Sequence, residues 1–347
     1  MTEYLWWHDI TDNSLWRTDL DGTNTVEFPM PAGESMRRIN SVFDVSRLYL
    51  WDHLSGPPDD EVASVDITDP DSPSMVRYTG QFGGKNIYRI VPLSNLVAVA
   101  DVAESAGKAS MWRTTDGGAN WTKTLNDQPI IPVNNIVVDY TDHDAVWLSS
   151  SFDEFGAASP YVYYSTDGGQ TWASESVPLA SGDYISALGL SGVSGPMQPI
   201  VGTHDGELWR RNGPSSWSQV YDGAVFIPTV HPNPSNGDDI FVMETDTGII
   251  STNYRIVSND GGSSWVRSEN IVVGLLGQTV SFRDGTGAIY VGHDPGPVPD
   301  NLAKSTDQGA TWVYLTVPGA PEVNFRACSA GPAAVAAIAR SWGQVIG

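Results

Sequence analysis

Two acidic loops, Asp59-Asp60-Glu61 and Asp153-Glu154, are the first places where this chain could do chemistry. Glycoside hydrolysis needs two carboxyl groups about 5–10 Å apart across a cleft. These loops fall in repeat units (defined below) that are not neighbours, so they are expected to be solvated loop charges. Four histidines, His8, His53, His204 and His293, recur at the ends of strand-like runs, in Trp-His-Asp, Asp-His, His-Asp-Gly and His-Asp-Pro contexts. Imidazoles are good zinc ligands, but equivalent strand ends on adjacent units lie too far apart to share one ion. They are expected to cap strand ends by hydrogen bonding. Asp19-Leu-Asp21-Gly-Thr-Asn24 echoes part of a calcium loop but lacks the later glutamate ligand, and reads as a hairpin turn. Cys328 is the single cysteine, which excludes an intrachain disulfide and a thiolate cluster. It sits in the apolar, strand-like run Val323–Ala330 and reads as a buried thiol. No metal site, cofactor or catalytic residue is assigned.

Elements that could position such groups follow from composition and repetition. With 40% apolar and 17% charged residues the chain belongs with folded globular proteins, and frequent Gly and Pro suit many short strands joined by turns. The formal net charge is -23. Such a surface repels nucleic acid and anionic membranes, so neither is an expected partner. The N-terminal MTEYLWW lacks a basic n-region and a long apolar run, so no signal peptide is expected. The Gly331–Ala339 stretch is too short to span a bilayer.

The chain repeats itself at a fixed period. Four segments nearly coincide: 114–121 (TTDGGANW), 165–172 (STDGGQTW), 258–265 (SNDGGSSW) and 305–312 (STDQGATW). A fifth, 210–217 (RRNGPSSW), is in register but degenerate. Their key pairs are Asp116 and Trp121, Asp167 and Trp172, Asn212 and Trp217, Asp260 and Trp265, and Asp307 and Trp312. The same period, run backwards, lands on the Asp-rich turns at Asp69 and Asp19, giving seven units. Each unit carries about four short β-type runs, the signature of a propeller blade. With strands named A to D outward from the axis, the repeated segment is the C–D hairpin. Its Asp can clamp backbone N–H groups of its own turn, Gly permits positive φ, and Trp packs an apolar face.

The pattern Ser/Thr-x-Asp-x-Gly-x-Thr/Ser-Trp resembles the Asp-box (bacterial neuraminidase) repeat, covering roughly residues 110–315; the first two units match by period. The fold class expected is therefore all-β, a single seven-bladed β-propeller over 1–331. Tyr4–His8 and Ser14–Thr18 read as strands B and C of the first blade. Its strand A would come from Val323–Ala330, closing the ring, and 332–347 is left as an extra C-terminal segment.

The resemblance spans sialidases, xyloglucan-cleaving hydrolases, sortilin-type receptors and photosystem assembly factors, so fold alone does not choose a function. Sialidases place a Phe/Tyr-Arg-Ile-Pro motif before the first box. Here Tyr88-Arg89-Ile90-Val91-Pro92 has Val91 inserted, and Arg283 and Arg326 lie on expected A strands where they could complete an arginine triad. No Tyr/Glu nucleophile pair is identifiable, and sialidase rings have six blades. A photosystem-type factor would imply a basic groove, which no basic run supports. The expected function is non-catalytic recognition, with a sialidase-like hydrolase as the alternative. Loops opposite the boxes vary most and are where function concentrates. Phe82, Phe152 and Phe155 are expected as exposed contacts for a protein partner or a glycan. A virus or phage particle surface is the expected setting, the cytoplasm otherwise.

Overall fold

The computed structural model describes residues 4–9, 14–30, 38–40, 45–51, 61–105, 108–128, 135–139, 141–149, 160–192, 197–233, 236–245, 253–269, 280–284, 286–292 and 302–315. Among them every regular element is a β-strand, and none is a helix able to cross a membrane. The strands form seven antiparallel meanders arranged in a ring. Blade 1 holds β1 (Tyr4–Asp9), β2 (Ser14–Asp19) and β3 (Val26–Pro29). Blade 2 holds β4 (Arg38–Asn40), β5 (Arg47–Trp51), β6 (Val62–Asp66) and β7 (Ser74–Tyr78). In blade 3 are β8 (Ile87–Pro92), β9 (Ala98–Ser105), β10 (Lys108–Thr114) and β11 (Thr122–Gln128). Blade 4 follows with β12 (Asn135–Asp139), β13 (Asp142–Ser149), β14 (Tyr161–Ser165) and β15 (Ala173–Ser176). Blade 5 comprises β16 (Ile185–Ser191), β17 (Gln198–Thr203), β18 (Glu207–Gly213) and β19 (Ser216–Asp222). Blade 6 comprises β20 (Thr229–Asn233), β21 (Asn236–Thr245), β22 (Asn253–Ser258) and β23 (Val266–Glu269). Blade 7 ends the described chain with β24 (Val280–Arg283), β25 (Ile289–Gly292), β26 (Leu302–Ser305) and β27 (Val313–Leu315).

First strands pack on first strands of the next blade (β4 on β8, β12 on β16, β16 on β20, β20 on β24), so strand A lines the axis. Alternation then puts the A–B and C–D turns on one face and the B–C and D–A loops on the other. The backbone confirms this pairing: Gly168 N, in a C–D hairpin, donates to Asp144 O in the A–B region of the same blade (2.9 Å), and Gly261 N to Asp238 O likewise (3.0 Å).

Each intact box is closed by its own side chains. Asp167 Oδ1 accepts from Ser165 Oγ (2.8 Å), Gln170 N (3.0 Å) and Thr171 N (2.8 Å), and Oδ2 from Thr171 Oγ1 (2.6 Å). Ser165 Oγ in turn accepts from Gly169 N (2.8 Å). Asp260 and Asp307 repeat the clamp. Slight burial raises the Asp167 pKa, but the Thr171, Ser165 and Gln170 bonds outweigh it and hold it at about 2. Bonds from Ser264 hold Asp260 at about 2, and bonds from Thr311 do the same for Asp307. Asp116 makes the same clamp through Thr114 and Asn120.

The boxes also stitch blade to blade, which the sequence reading missed. Trp121 meets Tyr49 of blade 2, Trp265 meets Tyr221 of blade 5, and Trp312 meets Phe241 of blade 6, with ring centroids 6.2, 6.4 and 6.5 Å apart. Trp172 Nε1 donates to Thr124 Oγ1 of blade 3 (3.1 Å). The indole therefore packs across to the preceding blade as well as onto its own. A cation on strand C answers in the other direction: Arg113 Nε donates to Gly168 O (2.7 Å) and Arg210 Nη1 to Gly261 O (3.0 Å).

Asn212 and Trp217 depart from the expected box. Blade 5 continues its strands to a Gly213–Ser216 pair, leaving a two-residue turn in which Ser215 takes φ 54. Asn212 Nδ2 bonds Ser218 Oγ (2.7 Å) and clamps no turn. The hairpin is fixed instead from blade 4, where buried Glu175 accepts from Arg211 Nε (2.6 Å) and Ser215 N (3.0 Å). Pro214 supplies no N–H and the amide of Asn212 lacks a carboxylate's charge, so a long-range ion pair replaces the local clamp.

Blade 1 behaves as strands B, C and D. Its Asp19 turn is the C–D hairpin, and it receives Lys304 Nζ of blade 7 on Leu20 O (3.0 Å), as boxes receive their arginines. Asp19 and Asp21 hold this turn through Asn24 Nδ2 (2.6 Å) and Thr23 N (2.9 Å), so the calcium-like run is a hairpin. Leu5, Trp6, Trp7 and Leu15 share one core with Ala288, Tyr290 and Leu302, joining the last described blade to the first. Val323–Ala330 and 332–347 lie outside the described residues.

Candidate functional site on the loop face

On the face opposite the boxes, three rings line up across the junction of blades 5 and 6. Tyr184 directly precedes strand A of blade 5, His204 directly follows its strand B, and Phe226 lies in the crossover to blade 6. Tyr184 and His204 centroids are 4.8 Å apart, and His204 and Phe226 centroids 5.6 Å. The rings are half-buried or, for His204, 46% exposed.

Backbone bonds hold this shelf in place. His204 N donates to Tyr184 O (3.1 Å), Ile227 N to Thr203 O (3.2 Å) and Thr245 N to Phe226 O (2.9 Å). Gly206 makes the turn after His204 possible: its φ is +97, and a Cβ there would meet Val225 O at 2.6 Å. Two carboxylates flank the rings. Asp183, 6% exposed, accepts from Tyr184 N (2.8 Å) and Asp205 N (3.2 Å) on Oδ1. Its Oδ2 is buried and accepts no hydrogen bond among the described residues. Asp205 is 67% exposed, with Oδ1 3.5 Å from His204 Nδ1. Burial raises the Tyr184 phenol, and the charges of Asp183 and Asp205 add to the effect. The arrangement offers ring faces and acceptors but no described nucleophile–base pair.

Phe82 requires a correction. It is 2% exposed, packed against Trp112 and Trp121 at 5.4 and 5.2 Å between centroids. Its loop is drawn down by Lys85, whose Nζ lies 2.5 Å from Glu104 and above the Trp112 ring. Lys123 meets the same carboxylate at 2.5 Å. Burial opposes ionisation of Glu104, yet the two lysines and Ser110 hold it at about 2. Phe82 is thus a core residue that pins the loop. Phe152 and Phe155 lie outside the described residues.

The two described sialidase-type arginines are each engaged within the chain. Arg89 is buried beside Asp101; burial lowers its pKa to about 10 against the raising effect of that carboxylate. Arg283, 2% exposed, donates to Asp239 O of blade 6 (3.2 Å) at the box end of its strand. Arg326 lies outside the described residues. Glu61 is committed to Arg77 (2.8 Å) within blade 2, and the remaining acids of its loop and of 153–154 lie outside the described residues. Among the recurring histidines, His204 does sit at a strand B end, as expected. Tyr184, Phe226 and Asp183 were missed; their signal is that they stand one to three residues ahead of the first strand of blade 5 or blade 6.

The BNR/Asp-box repeat model matches residues 163–174, the box of blade 4. The chain is a seven-bladed β-propeller built with Asp-box repeats. No curated protein matches it by sequence. The propeller is similar in fold to YCF48 bound to D1 peptide, at 14% identity and TM-score 0.55, covering 84% of this chain and 85% of that one. It is also similar to a GH74 xyloglucanase from Xanthomonas campestris, at 14% identity and TM-score 0.55, covering 90% of this chain but only 52% of that one. A provisionally assigned 6-phosphogluconolactonase of Bacteroides fragilis aligns at TM-score 0.63 with 8% identity, covering 91% and 95%. Identities this low establish the shared fold.

Proposed function

We propose that this propeller is a recognition module that binds a protein or a glycan on its loop face and leaves it chemically intact. The observation that carries this reading is the fixed, half-exposed Tyr184–His204–Phe226 shelf. Aromatic faces on a rigid frame suit both sugar rings and protein side chains. Two of the similar structures support the two ligand classes, one being bound to a peptide and the other being a xyloglucanase. The buried, internally committed Arg89 and Arg283 support recognition over sialidase-type hydrolysis. The finer setting we propose is a virus or phage particle surface.

Glycan and peptide arrays probed with the purified chain test the reading. Binding is expected on one of them, and mass spectrometry should recover the bound compound unchanged. A cleaved compound, or no binding on either array, would overturn it. Proteomics of purified particles tests the setting: the chain should be present in stoichiometric amount, and its absence removes the particle role.

A further inference from the structure

We infer that the shelf takes a cationic side chain, arginine or lysine, presented by a protein partner; this rests on the recognition reading and narrows its ligand class. Four carboxylates with little exposure, Glu61, Glu104, Glu175 and Glu244, each hold a cation of their own chain, at 2.5–2.8 Å. Buried Asp139 and Asp284 hold none among the described residues but have donors on both oxygens, from Thr141 and Met197 N and from Thr286, Ala288 N and the Tyr290 hydroxyl. Asp183 is buried to a similar degree and holds none among the described residues. One of its oxygens is satisfied by two backbone N–H groups and the other by nothing described. A buried acceptor without a donor is costly, more so when charged. A cation seated on the shelf from outside the chain would offset that charge through space.

The surroundings favour the same sign. Asp205 adds a second carboxylate, likewise without a lysine or arginine partner among the described residues. The faces of Tyr184 and Phe226 carry the negative quadrupole that attracts ammonium and guanidinium groups. A net charge of -23 draws cations to the whole surface and repels anionic ligands, acidic sugars included. Neutral sugars would use the rings but gain nothing from the charge. A guanidinium uses both, with a planar face for the rings and several N–H donors for the acids.

The test uses the whole chain and small probes read by saturation-transfer NMR and titration. N-acetyl-arginine amide and N-acetyl-lysine amide are the cationic probes, N-acetyl-glutamine amide the uncharged control, and methyl glucoside the neutral sugar. An arginine probe should bind with a dissociation constant on the order of a millimolar, weakening as salt is added. Asp183→Asn, Asp205→Asn and Phe226→Leu should each weaken it about fivefold or more, the value of roughly 1 kcal/mol for one such contact. Asp71→Asn, a carboxylate paired with Arg17 on the box face, should leave it unchanged. Circular dichroism melts identify any variant that loses the fold; Asp205 is exposed, so its variant keeps the test decisive. Preference for the glucoside over arginine would overturn the cation assignment while leaving glycan recognition standing. Equal binding of arginine and glutamine probes, wild-type affinity in the three shelf variants, or no probe binding would each overturn it too. Array binding independently decides the broader reading.

Discussion

Replacing Gly169 by alanine separates the two tasks of an Asp-box glycine. Gly169 has φ +81, and a Cβ built there would stand 2.5 Å from Val99 Cγ1 of the preceding blade. The left-handed backbone costs an L-residue about 1–2 kcal/mol. Val99 is fully buried on β9 and cannot swing away, so the added methyl also overpacks the blade interface, for about 1–3 kcal/mol more. Gly83 is the control: its φ is +69, with nothing within 4 Å of an added Cβ. Gly83→Ala should therefore show the backbone cost of about 1–2 kcal/mol alone. Equilibrium urea denaturation followed by tryptophan fluorescence measures both. In a Val99→Ala background, the excess at Gly169 should shrink toward the Gly83 value, because the atom it strikes is gone. If Gly169→Ala costs no more than Gly83→Ala, or if the excess survives removal of the valine methyls, the blade-stitching account of the box is wrong.

Three other outcomes follow from the same geometry. Asp167, Asp260 and Asp307 sit at about 2, below the ordinary 3.8, so they favour the fold above 3.8 and lose that contribution as pH falls toward 2. Acid titration of stability should show this slope, and Asp167→Asn should flatten it; an unchanged slope would contradict the clamp. Glu175→Leu should destabilise by about 3–5 kcal/mol because it strands buried Arg211, and Arg211→Leu should do likewise, with the double variant losing less than the sum. Additive losses in urea denaturation would show that the pair does not fix the blade 5 hairpin. Fluorogenic sialosides should not turn over at acidic or neutral pH, and activity abolished by Arg89→Ala would favour the hydrolase instead.

How far the sequence could be read depended on how local each cause was. The box register was legible because an Asp clamping its own turn is chemistry within eight residues, and a fixed period then implied seven blades. The Asp19 and Asp69 turns, matched by period alone, are indeed the C–D hairpins of blades 1 and 2. Asn212 looked like a weakened box because its actual support, Glu175, arrives from another blade. Phe82 looked exposed because its loop is polar and Gly-rich. Nothing nearby in sequence announces Trp112 and Trp121, which bury it. The shelf was half legible: His204 stood out by recurrence, whereas Tyr184 and Phe226 reach it only once strand ends are placed around the axis.

The loop face, and not the box face, is the proposed recognition surface. The most direct measurement compares wild type, Phe226→Ser and Leu96→Ser on the same glycan and peptide arrays. Leu96 is 55% exposed in the A–B turn of blade 3, on the box face, so its variant probes the opposite surface with the same kind of change. The predicted result is that features bound by wild type are lost by Phe226→Ser and kept by Leu96→Ser. Retention by Phe226→Ser together with loss by Leu96→Ser would contradict the account.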